Sequence, residues 1–179
     1  SCLQKQKDKT MTQEEYEKLI HNVADFPKPG VVFKDISPLL SENLETVITD
    51  MGAEINWDEV DLVLGVESRG FILGAPMALQ KGKGFLPIRK KGKLPPPVIG
   101  EEYALEYGTD KLEMRVNDTP KRVVLVDDVL ATGGTLQACI NLCERNNYEI
   151  KAIAVLIDLQ FLNSMASNDK RIHSVLKYN

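Results

Sequence analysis

Two adjacent carboxylates, Asp127 and Asp128, follow the apolar run Val123 to Val126 and lead into a stretch of small and hydroxylated residues, Ala131, Thr132, Gly133, Gly134 and Thr135. Each part has a chemical use. In an open α/β sheet ligands bind beyond the carboxyl ends of the strands, which is where the two aspartates would emerge. A glycine-rich turn lets backbone N–H groups approach a phosphate, and the start of the helix behind it favours negative charge. The hydroxyls of Thr132 and Thr135 add donors. Carboxylates repel a phosphate but accept well from a sugar diol, so the combination points to a ribose phosphate. Either feature alone favours a tight strand-to-helix turn with capping aspartates; together, at the end of a buried strand, they indicate a ligand. A nucleoside triphosphatase would need G-x-x-x-x-G-K-[ST]. The nearest match, Gly65 to Gly70, continues with Phe71 and Ile72 and lacks both the lysine and the hydroxyl.

The elements around this segment must deliver it to one edge of a sheet. Val60 to Val66, Phe85 to Ile88, Val123 to Val126 and Ile150 to Leu156 are short β-rich runs, as expected of strands covered on both faces. Helices fit between them, from Gly70 to Gln80 and from Gly134 to Arg145. This alternation implies right-handed crossovers and an α/β domain with a mainly parallel central sheet flanked by helices. Upstream, Thr12 and Glu15 form a capping-box pattern that predicts a helix running towards Val23. Pro27, Pro29 and Gly30 end it, Val31 to Phe33 with Ile36 reads as extended and partly buried, and a second helix covers Leu44 to Ile55. Between Lys90 and Val116 the order breaks: Lys90, Lys91, Lys93 and the triple Pro95, Pro96, Pro97 give way to the alternating Leu112, Met114, Val116. This reads as a mobile loop leading into an antiparallel strand.

Composition narrows the function classes. The 179 residues suit one domain with a core of its own. Lys+Arg 22 against Asp+Glu 26 gives a formal net charge of -4, which argues against a nucleic-acid partner, since phosphate neutralisation needs a basic excess. A local patch of donors still suffices for a small anion. The cysteines, Cys2, Cys139 and Cys143, form neither an even set nor a C-x-x-C pair, so a disulfide framework or zinc site is not expected. Cys139 and Cys143 read as small buried apolar residues on one helix face. Without a run of about 18 apolar residues or an apolar signal core in the polar, Lys-rich segment Ser1 to Thr10, a soluble cytoplasmic protein with no membrane partner is expected.

The run from Val123 to Thr135 resembles the signature with which type I phosphoribosyltransferases hold phosphoribosyl pyrophosphate. Further runs are similar to those of the adenine phosphoribosyltransferases: Ala24 to Pro38, Gly65 to Phe71, Ile88 to Pro95 and Ala104 to Gly108. The resemblance implies the type I fold with a small N-terminal hood and base-binding segment over 12–40, a core over 60–160, and a flexible loop with its following strand over 90–116. It implies that Asp127 and Asp128 take the ribose hydroxyls and Ala131, Thr132, Gly133, Gly134 and Thr135 the phosphate. Glu67, Ser68, Arg69 and Gly70 match the family's pyrophosphate loop, in which a non-proline cis peptide, here Glu67–Ser68, aims backbone donors at the leaving group. Arg89, Lys90 and Lys93 match basic positions for pyrophosphate, partly across a homodimer interface. Val32, Phe33 and Lys34 match the adenine pocket, with Val129 as the apolar wall. Glu106 and Tyr107 match a closing loop, with Glu106 exchanging a proton with the purine. Arg69, Asp127 and Asp128 join Glu106 as candidate catalytic groups. Mg²⁺ is the implied cofactor, held mainly through substrate and water and near Asp127; the partners are adenine, phosphoribosyl pyrophosphate, AMP and pyrophosphate.

Departures from the family pattern are Lys34 where arginine is usual, Pro96 in place of glycine, and the run Gln160 to Arg171, which lacks the usual G-R-E-K-L-like segment. Two other readings share the acidic-pair loop. A non-catalytic sensor of phosphoribosyl pyrophosphate would have less reason to keep a purine pocket and a closing loop. A phosphoribosyltransferase for another base would not be expected to carry the run Ala24 to Pro38.

Overall fold

The computed structural model describes residues 10–105 and 107–179. Two compact units are present, divided after Ala53. In the first, helix α1 covers Gln13–Lys18, with Thr12 accepting at its N-cap from the Glu15 N–H at 3.3 Å. The helix stops there and does not run to Val23. His21–Ala24 forms strand β1, paired antiparallel with β2, Val32–Asp35. Pairing across the turn at 25–31 overrides the helical pattern of the local sequence. The turn is held by Asp25, whose carboxylate accepts from the Gly30 N–H at 2.8 Å. Helix α2, Ser37–Gly52, starts seven residues before the sequence-based expectation of Leu44. Pro38 fits its first turn, where a missing N–H matters least, and the Asp35 carboxylate accepts from the Ser37 N–H at 2.9 Å.

The second unit, Glu54–Asn179, is built on a seven-stranded sheet. Its strands are β3 (Leu62–Val66), β4 (Gly84–Lys90), β5 (Val98–Leu105), β6 (Gly108–Arg115), β7 (Lys121–Leu130), β8 (Tyr148–Leu159) and β9 (Ile172–Tyr178). They lie in the order β5-β6-β4-β3-β7-β8-β9. From β4 to β9 every neighbouring pair is parallel, and β6 and β5 extend the sheet antiparallel. Helix α3, Arg69–Gln80, links β3 to β4, and helix α4, Gly134–Arg145, links β7 to β8. A short helix α5, Met165–Asn168, precedes β9.

The two long helices cover opposite faces because alternate strand residues point to opposite sides. Leu62, Leu64, Val66, Val123 and Leu125 share one buried cluster with Leu136, Cys139, Leu142 and Cys143 of α4. On the other face Gly65 meets α3: a Cβ there would lie 2.6 Å from the Gly70 carbonyl and 2.6 Å from the Phe85 ring. Glycine at position 65 is what lets the helix start this close to the strand. Burial pushes the Cys143 thiol up to about 12 and raises Cys139 as well, so both stay protonated near neutral pH and serve as apolar packing.

Residues 98–105 form a strand where the sequence reading placed loop. The hairpin β5–β6 pairs continuously from Val98↔Arg115 to Leu105↔Gly108. Glu101 and Glu102 hide the strand from a hydrophobicity pattern. Glu101 is answered from α4, by Arg145 at 2.6 Å and Asn141 at 3.3 Å. No helix among the described residues is long and apolar enough to cross a membrane.

Candidate active site

The connection from β3 leads through α3 to β4 on one side, and that from β7 leads through α4 to β8 on the other. The adjacent strands β3 and β7 therefore flank a topological switch point, where the outgoing chains diverge and leave a crevice. Two loops meet there. Glu67 and Ser68 follow β3 directly, joined by a cis peptide, and Arg69 and Gly70 open α3. Asp127, Asp128 and Val129 lie within the C-terminal part of β7, which runs past the Val126 expected from the sequence, and Ala131 to Gly133 connect it to α4. A Cβ on Gly70 would lie 2.8 Å from the Val126 carbonyl, so the start of α3 abuts β7 itself.

An ion pair joins the two loops: Arg69 Nε lies 2.5 Å from Asp128 Oδ2. Asp128 is buried and this oxygen has no aligned hydrogen-bond donor among the described residues, so the contact is one of charge. Asp127 Oδ1 accepts from the Asp128 N–H at 2.8 Å. Desolvation first, and the neighbouring Asp128 second, raise the Asp127 carboxyl well above the usual carboxylate range. Part of Asp127 stays open to solvent, so water offsets some of that push. Asp127, Val129, Ala131, Thr132, Gly133 and Thr135 line one cavity with about 100 Å³ of open space. Gly133 has φ +93, a left-handed turn that aims the chain into α4.

The raised Asp127 has two consequences of opposite sign. Because the folded state holds this proton more tightly than the unfolded chain, stability is lost as pH rises from the ordinary carboxylate range through the raised value. Asp127→Asn should therefore increase stability at neutral pH, as removal of a desolvated site charge commonly does. A diol needs the charged acceptor, so wild-type affinity for a ribose phosphate should weaken as pH falls through the same window. Thermal melts at neutral and mildly acidic pH check the first, and the KM for phosphoribosyl pyrophosphate across that range checks the second. A KM that does not change with pH in wild type would count against Asp127 as the acceptor.

The basic positions divide. Arg89, near the end of β4, pairs with Glu67 at 2.7 Å and sits 5.7 Å from the centre of the Phe71 ring, so it belongs to the loop after β3. Lys90 pairs instead with Asp110 of β6 at 2.7 Å, a bond that also raises its pKa. Lys93 is exposed on the turn after β4. That turn is anchored by Glu113, a buried carboxylate that accepts from the Gly92 N–H at 2.7 Å. Glu113 escaped the sequence reading because it alternates with Leu112 and Met114 as an outward-facing strand residue would. Tyr107, 85% exposed, sits at the β5–β6 turn, and Glu106 lies outside the described residues.

In the first unit, Val32, Phe33 and Lys34 lie on β2. Val32 is 61% exposed, and Phe33 packs edge-on against Phe26. The Lys34 ammonium donates to Asn22 Oδ1 at 2.9 Å, directly across the β1–β2 pair. Val32 and Phe33 thus lie on an extended, partly buried strand of a hairpin, as the sequence reading expected of this run.

This arrangement has known counterparts. The phosphoribosyl transferase domain family matches residues 38–174. An adenine phosphoribosyltransferase of Bdellovibrio bacteriovorus is 52% identical over 89% of this chain and 97% of its own. The chain belongs to the adenine phosphoribosyltransferase family. The adenine phosphoribosyltransferase of Rhodothermus marinus, 41% identical, superposes with a TM-score of 0.83 over 92% of this chain and 97% of that one. The Giardia lamblia enzyme, complexed with 9-deazaadenine, is 36% identical with a TM-score of 0.84 over 95% of this chain and 99% of that one. The type I phosphoribosyltransferase fold expected from the sequence, a mainly parallel sheet flanked by helices, is the fold observed.

Proposed function

We propose that this chain transfers the phosphoribosyl group of phosphoribosyl pyrophosphate to adenine, giving AMP and pyrophosphate in purine salvage, at the crevice between β3 and β7. The observation that carries the assignment of the site is the Arg69–Asp128 ion pair. It holds a cation from the start of α3 against the acidic pair near the end of β7, where leaving group and ribose would meet. Asp127 and Asp128 accept from the ribose hydroxyls, and their charge opposes the positive charge that develops on the sugar. Backbone N–H groups from Ala131 to Thr135, with the hydroxyls of Thr132 and Thr135, hold the 5-phosphate at the start of α4. Glu67, Ser68, Arg69 and Gly70 receive the pyrophosphate, and Arg89, Lys90 and Lys93 add positive charge, partly across a homodimer interface.

The base is read by backbone groups of Val32, Phe33 and Lys34. The Lys34–Asn22 bond supports a backbone role at position 34, since it occupies the ammonium elsewhere. In the reaction a purine nitrogen bonds to the anomeric carbon while the carbon–oxygen bond to pyrophosphate breaks, its electron pair leaving on pyrophosphate. Glu106, beside Tyr107 on the closing loop, takes the purine proton.

No group of three or more His, Cys, Asp or Glu side chains among the described residues forms a metal cage. A pair of carboxylates beside a polyphosphate suits Mg²⁺, which keeps several waters and binds through substrate oxygens and one or two carboxylates. Asp127 would be the residue to reach it. When bound, Mg²⁺ would neutralise charge on the departing pyrophosphate. A cytoplasmic location fits these substrates.

Purified protein given adenine, phosphoribosyl pyrophosphate and Mg²⁺ should form AMP and pyrophosphate in equal amounts. Excess EDTA should abolish product, and added Mg²⁺ should restore it. Full activity in EDTA would sink the metal assignment, and absence of AMP at every Mg²⁺ concentration would sink the reaction.

A further inference from the structure

The run after β8, where the chain departs from the family pattern, packs beneath the loop assigned to the 5-phosphate. Asn163 Nδ2 donates to the Ala131 carbonyl at 2.8 Å, to the Leu159 carbonyl at 3.0 Å and to Asp158 Oδ1 at 3.1 Å. Two hydrogens serve three acceptors, and the shortest bond goes to Ala131. Asn163 Oδ1 accepts from the Met165 N–H at 3.0 Å, closing an Asx turn. Met165 in turn lies against Gly133, where its sulfur occupies the space a Cβ would need. Asp158 is fully buried, and its Oδ2 has no hydrogen-bond partner among the described residues. Asn163 is thus tied to a fixed, buried carboxylate on one side and to the loop on the other.

We infer that Asn163 is a positioning residue for the ribose 5-phosphate. The Ala131 carbonyl and the Thr132 N–H belong to one planar peptide and point in opposite directions. Holding the carbonyl on the Asn163 side therefore turns the Thr132 N–H the other way and restrains the N–H groups that follow it. Asn163 acts through the loop and needs no contact with substrate. The inference rests on the reading that residues 131–135 bind the 5-phosphate.

The test uses the reaction in both directions. Phosphoribosyl pyrophosphate and AMP both carry a 5-phosphate; adenine and pyrophosphate do not. Loss of one hydrogen bond of ordinary strength predicts about a tenfold rise in KM for phosphoribosyl pyrophosphate and AMP in Asn163→Ala. The KM values for adenine and pyrophosphate should stay within about twofold of wild type, inside the scatter of ordinary surface changes. Asn163→Ser keeps an oxygen for the Met165 N–H, and so the turn, but its hydroxyl is one bond too short to serve Ala131. It should show the same selective rise in a stably folded protein. A parallel rise in all four constants, or wild-type constants in Asn163→Ser while Thr135→Ala weakens both phosphate ligands, overturns the inference. Should Thr135→Ala itself leave both constants unchanged, the phosphate-loop reading fails, and the inference fails with it.

Discussion

Guanine and hypoxanthine are expected to be turned over at least on the order of 10⁴ less efficiently than adenine, as in sites whose buried partners are left unpaired by the wrong hydrogen-bonding pattern. The physical basis is that backbone groups cannot adapt. Val32, Phe33 and Lys34 lie in a ladder with β1, where Asn22, Val23 and Ala24 set their register. The directions of their N–H and C=O groups are therefore set by the hairpin and not by rotatable side chains. An exocyclic amine presented to a fixed carbonyl donates a hydrogen bond; an oxo group at the same place offers a second acceptor, and two acceptors repel. The Lys34 ammonium, which could have adapted to an oxo group by donating, is held by Asn22. The measurement is kcat/KM for each base at saturating phosphoribosyl pyrophosphate. Guanine within tenfold of adenine would show that the base is not read by this segment.

What the sequence made legible follows the range of the interactions concerned. Helix α4 was expected over Gly134 to Arg145 and has those bounds, since its limits are set by the glycines that open it and the polar Asn146 and Asn147 that follow. Strands β3, β7 and β8 were found as apolar runs because both of their faces are covered, and β4 was found although it is only partly buried; β4, β7 and β8 extend further than the runs indicate. Asp127 and Asp128 could be placed at a strand end, and their relation to Arg69 was foreseeable only through the family resemblance, because 58 intervening residues separate Arg69 from Asp128. Strand β5 was missed because Glu101 is matched to Arg145 and Asn141, partners that no local pattern reveals. Strand β9 was missed too: Ile172 and Leu176 are buried, but the polar residues between them leave no apolar run. Nothing in the local sequence singles out Asn163, because its hydrogen bond to the Ala131 carbonyl spans 32 positions.

Asp128→Asn should lower kcat/KM for phosphoribosyl pyrophosphate by roughly ten- to a hundredfold, the equivalent of one charge-assisted hydrogen bond of about 1.5–3 kcal/mol. Two losses act together. The ribose hydroxyls meet a weaker acceptor, and Arg69 loses the carboxylate that holds its guanidinium at the switch point. The fold should survive, because Asn has the same shape and a buried neutral amide is less costly to desolvate than a carboxylate. Asp127→Asn provides the internal comparison. It removes an acceptor but leaves the Arg69–Asp128 pair in place, so Arg69 keeps its position. Pyrophosphate in the reverse reaction, with Mg²⁺ saturating, separates the two losses: Asp128→Asn should raise its KM through the displaced Arg69, and Asp127→Asn, which keeps that pair, should raise it less. Melting temperatures for both variants establish that folding is intact before the kinetics are compared. If Asp128→Asn retains wild-type KM for both phosphoribosyl pyrophosphate and pyrophosphate, the ion pair is only a surface contact between two loops, and the leaving group must be received elsewhere.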